Sequence, residues 1–153
     1  MTMQTQHFSI MINAPKEKVW RAMLDDKTYR EWTSAFSEGS YFEGAWEEGS
    51  KMLFLGHDPE TGATGGMVSR IAKCRPFEFV SIEHLGIMND GVEDTTSDEA
   101  RKWAPAYENY TFTEKDGMTE LLVDSDTDEE QAAEFEKMWQ VGLQRLKEIA
   151  ERT

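Results

Sequence analysis

The sequence has little cysteine and little positive charge. Cys74 is the only cysteine among 153 residues, which excludes an intramolecular disulfide and a zinc site built from several thiolates. Lysine and arginine total 16 against 30 aspartates and glutamates, so the formal net charge is -14. So acidic a protein repels polyanions and anionic membrane surfaces at long range. We therefore expect neither nucleic acid nor a membrane as a partner.

Long apolar runs are absent as well. No stretch approaches the roughly 18 apolar residues of a membrane-spanning helix, and residues 1–9 lack the basic start and apolar run of a signal peptide. We therefore expect a cytoplasmic protein without membrane insertion. Aromatic residues, in contrast, are plentiful, with 5 Trp, 4 Tyr and 8 Phe. This content predicts a folded core, and the length predicts a single domain over residues 1–153.

Hydrophobic periodicity predicts the order of the elements. Phe8, Ile10 and Ile12 alternate with their neighbours, which indicates a strand over 7–12. Pro15 suits the first turn of a helix over 16–24, and a second short helix is predicted over 26–33. Beyond residue 40, glycines separate short aromatic and β-branched runs, a pattern typical of an antiparallel meander. The predicted strands there are 40–46, 51–55, 66–73, 77–85, 107–113 and 119–126.

The last segment has the strongest helical pattern. Thr127 and Glu130 fit a capping box, and apolar residues recur at steps of three and four from Phe135 to Ala150. A helix of about 24 residues would be roughly 36 Å long with one apolar face. Grouped strands with helices at both ends predict an α+β fold. We expect a curved antiparallel sheet of six to seven strands wrapped around the C-terminal helix, with a space between them.

Several short motifs occur along nearly the whole chain. They are Ile12-Asn13-Ala14-Pro15-Lys16-Glu17-Lys18-Val19-Trp20, Trp32, Glu47-Glu48-Gly49-Ser50-Lys51, Gly65-Gly66-Met67-Val68, Arg75-Pro76-Phe77-Glu78-Phe79, Glu108-Asn109-Tyr110 and the segment from Trp139 to Leu146. In this order they resemble the START-like helix-grip superfamily (SRPBCC). Within it, the chain is most similar to the family named after the activator of the heat-shock protein 90 ATPase.

The resemblance implies a deep, mostly apolar cavity between the sheet and the C-terminal helix, which the superfamily uses for lipids, sterols, polyketides and other hydrophobic molecules. Chaperone activators of the family carry a separate N-terminal domain that contacts the chaperone, and such a domain does not fit within 153 residues. We expect the cavity to be lined by Trp32, Phe36, Phe42, Met52, Phe54, Met67, Ile82, His84, Trp103, Tyr110, Phe112, Phe135, Met138 and Trp139.

His84 is the best candidate for chemistry. It shares strand parity with Val80 and Ile82, so its side chain can point toward the cavity, and Glu108 and Tyr110 on another strand could orient it as a general base. The alternative is a hydrogen-bonded structural histidine. The sequence contains no metal-binding histidine motif, nucleophile elbow, phosphate loop or dinucleotide fingerprint. We therefore expect no metal and no cofactor.

The segment from Gly86 to Pro105 has no clear strand pattern. Loops of this length often form lids or binding loops, and one hypothesis is that Ile87 and Trp103 cover the ligand entrance. The alternative is a solvated loop with a short helix at 97–103. Residues 90–99 hold five carboxylates and residues 124–136 hold seven. Because both stretches flank the predicted cavity, we expect a neutral or cationic ligand rather than an anionic one.

Three interpretations of function remain open on the sequence. The first is a protein that binds an apolar or amphipathic small molecule in the cavity. The second is a cyclase- or hydrolase-like enzyme that uses His84, Glu108 and Tyr110 in the same cavity. The third is a module that contacts a chaperone. A monomer and a homodimer are both compatible with each of them.

Overall fold

The computed structural model describes residues 3–58 and 60–152. Over these residues the elements follow the predicted order, with one strand before two helices, a run of strands and a long last helix. They are β1 Met3–Ile12, α1 Lys16–Leu24, α2 Asp26–Thr33, β2 Tyr41–Gly44, β3 Lys51–His57, β4 Thr64–Arg75, β5 Phe79–Asn89, β6 Val92–Asp94, α3 Asp98–Trp103, β7 Ala106–Lys115, β8 Met118–Asp128 and α4 Ala132–Glu151.

The strands form one open antiparallel sheet, which confirms the predicted α+β class. Seven strands follow the order β1-β8-β7-β5-β4-β3-β2, and the short β6 pairs with the far end of β5. The sheet therefore has eight strands rather than six to seven. Pairing along β4 and β5 is interrupted at two places, between Val68 and Ser69 and between Ile71 and Lys73. Such bulges bend a strand and increase its twist, which helps the sheet to curve.

The three longer helices pack against the concave side and one edge of the sheet. The bounds of α1 and α2 agree with the prediction, and the Trp32 Nε1–H donates to the Met23 carbonyl at 2.9 Å, which ties the two helices together. Gly142 of α4 lies against α2, where an added Cβ would be 3.1 Å from the ring of Phe36. Glycine thus lets the last helix approach α2 closely. None of the helices in the described residues is long and apolar enough to cross a membrane.

The prediction for the start of the last helix was wrong. Thr127 belongs to β8, where it pairs with Gln4, and the side chain of Asp128 caps the following turn by accepting from the Glu130 N–H. One turn of 3-10 helix, Glu129–Gln131, then leads into α4. The strand extends further than its sequence pattern suggests because β1 supplies a partner along its whole length.

The segment from Gly86 to Pro105 is more ordered than the sequence predicted. Strand β5 continues to Asn89, and Asp90 and Gly91 both have positive φ values, 49° and 81°, as a tight two-residue hairpin turn requires. The alternative prediction of a short helix near 97–103 is confirmed by α3, which Ser97 caps by accepting from the Ala100 N–H at 3.1 Å. The result is a compact strand–helix cover beside β5.

Candidate functional site

A cavity of about 710 Å³ lies between the concave side of the sheet and helices α2 and α4. Its wall is dominated by aromatic side chains from five elements and the loop after α2: Tyr29, Trp32, Phe36, Phe54, Trp103, Tyr110, Phe135 and Trp139. Six of these rings, all except Trp103 and Phe135, contact at least one other edge to face or at a tilt. Trp139, for example, lies 4.9 Å from Phe36 and 5.9 Å from Trp32 between ring centroids. Tight aromatic contacts of this kind make the wall rigid and apolar.

One polar cluster interrupts this apolar wall. His84 is only 3% exposed, and its Nδ1 lies 2.7 Å from the Ser69 Oγ. Its Nε2 lies 3.1 Å from the Glu108 Oε1, and the Tyr110 hydroxyl donates to the other carboxylate oxygen, Oε2. Strands β4, β5 and β7 are neighbours in the sheet. Their pairing therefore aligns the four side chains into a single hydrogen-bonded chain.

The hydrogen bonds of His84 assign the tautomer of its neutral ring. A carboxylate only accepts hydrogen bonds, so Nε2 carries the hydrogen that Glu108 accepts. The Ser69 hydroxyl then donates to Nδ1. Ser69 is fully buried and does not line the cavity, whereas His84 and Glu108 do. Ser69 thus orients the histidine from behind.

Two tyrosine hydroxyls in the cavity wall are held in the neutral form. Burial raises the pKa of Tyr110 well above its usual value, and the neighbouring Glu108 carboxylate raises it further. Burial likewise raises the pKa of Tyr29, Glu108 adds to the rise, and a hydrogen bond with Ser40 opposes it. Both phenols are therefore neutral hydrogen-bonding groups at physiological pH.

Trp103, the last residue of α3, covers the polar cluster. Its ring stacks on that of His84 at 5.6 Å and 24°, and it lines the cavity. Ile87, the other residue of the lid hypothesis, does not line the cavity. It is instead paired with Asp94 in the β5–β6 hairpin. The cover over the polar cluster is therefore helix α3, and Ile87 is not part of it.

Ten of the fourteen residues predicted for the cavity lie on its wall: Trp32, Phe36, Phe54, Met67, Ile82, His84, Trp103, Tyr110, Phe135 and Trp139. The other four lie elsewhere. Phe42 packs on Tyr29 at 4.9 Å, Met52 is fully buried in the core, and Phe112 packs on Trp20 at 5.2 Å, where α1 closes one end of the sheet. Met138 is one residue from Trp139, which turns it about 100° around the helix away from the cavity.

Several wall residues were not predicted from the sequence. They include Tyr29 on α2, Ser125 and Asp126 on β8, Gln131 beside α4, and the ends of the β3–β4 and β5–β6 hairpins. Tyr29 precedes Trp32 by one helical turn, and this spacing was a signal for it. The hairpin ends gave no such signal, because their position over the cavity depends on the curvature of the whole sheet.

In the part of the chain that the structure describes, neither a cluster of potential metal ligands nor an activated thiol lies at the cavity. Within residues 3–58 and 60–152, no group of three His, Cys, Asp or Glu side chains is arranged to hold a metal ion. Burial raises the pKa of the Cys74 thiol, and the carboxylates of Glu48 and Glu47 raise it further. Its S–H donates to the Trp46 carbonyl. The thiol is therefore protonated and a weak nucleophile.

Solved structures share this fold. Protein ChR145 from Cytophaga hutchinsonii superposes with a TM-score of 0.71 at 20% identity, covering 99% of this chain and 97% of that one. CalU16 from Micromonospora echinospora superposes with a TM-score of 0.66 at 17% identity, covering 97% of this chain and 75% of its own.

DynU16, from the dynemicin biosynthetic locus, matches with a TM-score of 0.67 at 16% identity over 96% of this chain and 47% of its own length. None of the curated proteins compared with the chain is significantly similar to it in sequence. The model of the family described as "Activator of Hsp90 ATPase homolog 1-like protein" matches residues 13–151. The chain therefore belongs to the activator of Hsp90 ATPase homolog 1-like family, with the helix-grip fold of the SRPBCC superfamily.

Proposed function

We propose that this protein binds an amphipathic small molecule in the cavity between the sheet and α4. The observation that carries the proposal is a cavity of about 710 Å³ with eight aromatic rings on its wall and one polar cluster, His84–Glu108–Tyr110. Sites for small molecules are concave and mostly apolar, with a few polar groups that fix the orientation of the ligand. The aromatic wall would hold the apolar body and the cluster would hold a polar group.

The fold family supports the same proposal. SRPBCC proteins commonly bind hydrophobic ligands, and one solved structure with this fold comes from the biosynthetic locus of dynemicin. A biosynthetic locus is a setting in which a binding protein for an apolar product or intermediate has a use. By this analogy the ligand of the present protein is a small molecule of metabolic origin.

The proposal is tested by titration with Nile red, a neutral dye that fluoresces in apolar sites, together with a variant that fills the cavity. Ser125→Phe places a ring on the cavity wall and should weaken dye binding by roughly tenfold or more, because the apolar volume is taken up. Thr111→Phe is the matched control, since Thr111 lies on β7 between the inward-facing Tyr110 and Phe112 and faces away from the cavity.

Native mass spectrometry of the protein purified from its own host should also show a bound small molecule. If wild-type protein carries no such molecule and does not bind the dye, the binding function is refuted. If Ser125→Phe and Thr111→Phe weaken dye binding equally, the dye binds outside the cavity and the proposed site is wrong.

A second candidate function is acid–base catalysis on the bound molecule. The specific observation is that His84 is oriented by Ser69 on one side and paired with Glu108 on the other. A histidine paired with a carboxylate is common equipment for acid–base catalysis. Because both ring nitrogens of His84 are engaged, the lone pairs that face the cavity are those of Glu108, and His84 would position that carboxylate as the base. His84→Ala should then abolish turnover while the cavity still binds Nile red. Turnover that is unchanged in this variant would exclude a catalytic role for His84.

A further inference from the structure

The cavity wall has charge of one sign only. Its carboxylates are Asp58, Asp90, Glu108 and Asp126, and within the described residues no lysine or arginine lines it. Asp58 and Asp90 directly follow β3 and β5, and Asp126 lies near the end of β8, whereas Glu108 lies within β7. Any ligand that enters therefore meets negative potential throughout, which favours cations and disfavours anions.

Glu108 and Glu83, two glutamates of the same sheet, differ in the groups that pair with their carboxylates. On β5, Glu83 accepts from Tyr107 at 2.8 Å and also pairs with the guanidinium of Arg70 at 2.7 Å. Glu108 likewise accepts from a tyrosine, Tyr110, but its other partner is His84 rather than an arginine. Its side chain is only 17% exposed, and a carboxylate so buried is stabilised when a cation pairs with it.

The hydrogen bonding at Glu108 leaves room for donors and none for acceptors. A carboxylate can accept about four hydrogen bonds, and two of these are taken by His84 and Tyr110. The two donors that contact Glu108, the His84 Nε2–H and the Tyr110 hydroxyl, are both engaged by its carboxylate. A ligand carboxylate or phosphate at this point would meet a like charge without a free donor, whereas an ammonium group would supply donors and a positive charge.

The aromatic wall suits the same ligand chemistry. The faces of tryptophan and tyrosine rings attract cations within about 6 Å of the ring centroid. Tyr110 contacts the carboxylate through its hydroxyl, and its ring centroid lies 6.2 Å from that of Trp139. Burial keeps the Tyr110 phenol neutral, so its hydroxyl continues to donate to Glu108.

We infer that the cavity selects a hydrophobic organic cation, an amine whose ammonium group binds Glu108 and whose apolar body lies along the aromatic wall. This inference rests on the proposed binding function and adds the class of ligand. At Glu83 the protein itself supplies the cation, Arg70, that pairs with the carboxylate. At Glu108 the protein supplies the carboxylate and the ligand brings the cation.

Three probes with the same apolar body test the inference: decylamine, which is an ammonium ion at neutral pH, decanol and decanoate. Their affinities for wild-type protein are measured by calorimetry at physiological and at high salt. We expect decylammonium to bind at least roughly tenfold more tightly than decanol, and decanoate to bind more weakly still. The preference should persist at high salt, because salt screens the long-range field of the acidic surface more than a partly buried pair.

Glu108→Gln identifies the residue responsible. This isosteric variant should lose roughly tenfold in affinity for decylammonium and change little for decanol. Glu120→Gln is the matched control, because Glu120 is an exposed glutamate on β8 and its substitution changes the net charge equally. Thermal unfolding shows whether each variant is folded. The comparison of the three probes uses wild-type protein, so it does not depend on the folding of any variant.

The outcomes separate the two proposals. Tight decylammonium binding that falls in Glu108→Gln and not in Glu120→Gln supports the inference. Equal binding of all three probes, or stronger binding of decanoate, overturns the choice of ligand class and leaves the binding function standing. If none of the three probes binds, the proposed function itself fails.

Discussion

Ser69 acts on the site without lining it. It is fully buried on β4 and lies opposite His84 in the β4–β5 pairing, 2.7 Å from the histidine Nδ1. A buried ring nitrogen without a partner is costly, and the hydroxyl also fixes which nitrogen faces Glu108. The orientation of the polar cluster therefore depends on a residue that a ligand never touches.

Replacing this serine should destabilise the protein. Ser69→Ala leaves the Nδ1 of His84 buried without its donor, so we expect the free energy of unfolding to fall by about 1–3 kcal/mol. Urea denaturation measures it. The control is Ser81→Ala, because Ser81 lies on β5 between the inward-facing Val80 and Ile82 and faces away from the cavity. Equal effects of the two variants would contradict the role of Ser69.

The buried tyrosines predict a loss of stability in alkali. The pKa of Tyr110 and that of Tyr29 are raised in the folded protein, mainly by burial. Below the unfolded-state pKa of about 10 their contribution is fully present, and above it the unfolded chain loses protons that the folded protein keeps. The free energy of unfolding should then fall by about 1.4 kcal/mol per pH unit for each tyrosine.

Urea titrations at several pH values on both sides of the tyrosine pKa measure this slope. Tyr110→Phe should reduce this slope by about 1.4 kcal/mol per pH unit, the contribution of one tyrosine. Tyr41→Phe, on the edge strand β2, is the control. A slope that is the same in Tyr110→Phe and in the wild type would show that the buried phenol does not carry the effect.

At the scale of elements, local signals predicted some parts of the chain well. Helices α1 and α2 were predicted with their observed bounds because Pro15 precedes the first and apolar residues recur with helical spacing in both. The extension of β5 to Asn89 and the short strand β6 were not predicted. Their hairpin turn at Asp90-Gly91 is a recognisable signal, but β6 has three residues, too few to show an alternating pattern.

Gly86 allows this segment to approach β5 closely. An added Cβ there would lie 2.2 Å from the Asp94 carbonyl oxygen and 2.9 Å from Thr95, a spacing that only glycine permits. The segment ends at Trp103, which stacks on His84 over the cavity. The cover is therefore held in place by the β5–β6 hairpin at one end and by an aromatic stack at the other.

Helix α3 should control how fast a ligand leaves. Trp103→Ala removes the stacked ring, so we expect Nile red to dissociate roughly tenfold faster. Stopped-flow dilution measures the rate. Lys102→Ala is the control, because Lys102 is the preceding, exposed residue of the same helix. If Trp103→Ala leaves both the affinity and the dissociation rate unchanged, α3 is not a lid.

At the scale of the whole molecule, the sequence predicted the fold class and much of the cavity. Strand parity and helical spacing placed residues such as Trp139 and Ile82 on the inner faces. Strand parity predicts which side chains face the inner side of the sheet, but not whether the space in front of them is open cavity or packed core. Met52 and Phe112 face the packed core and do not line the cavity. That distinction depends on where α1 packs, which is a property of the assembled fold.

The acidic residues of the chain are found in the cavity wall as well as on the surface. The net charge of -14 extends into the cavity, where the acidic wall residues are Asp58, Asp90, Glu108 and Asp126 and no lysine or arginine of the described residues lines the wall. Acidic residues therefore do more than keep the surface hydrated, because they set the potential that an entering molecule meets.

The five tryptophans provide the most direct test of the central claim that the cavity binds a small molecule. Trp32, Trp103 and Trp139 line the cavity, whereas Trp20 and Trp46 do not. Titration with decanol is followed through the indole N–H signals in a ¹H–¹⁵N NMR spectrum. We predict saturable shifts for Trp103 and Trp139, with the signals of Trp20 and Trp46 unmoved. Signals that all stay in place, or that move only for Trp20 and Trp46, would contradict the claim.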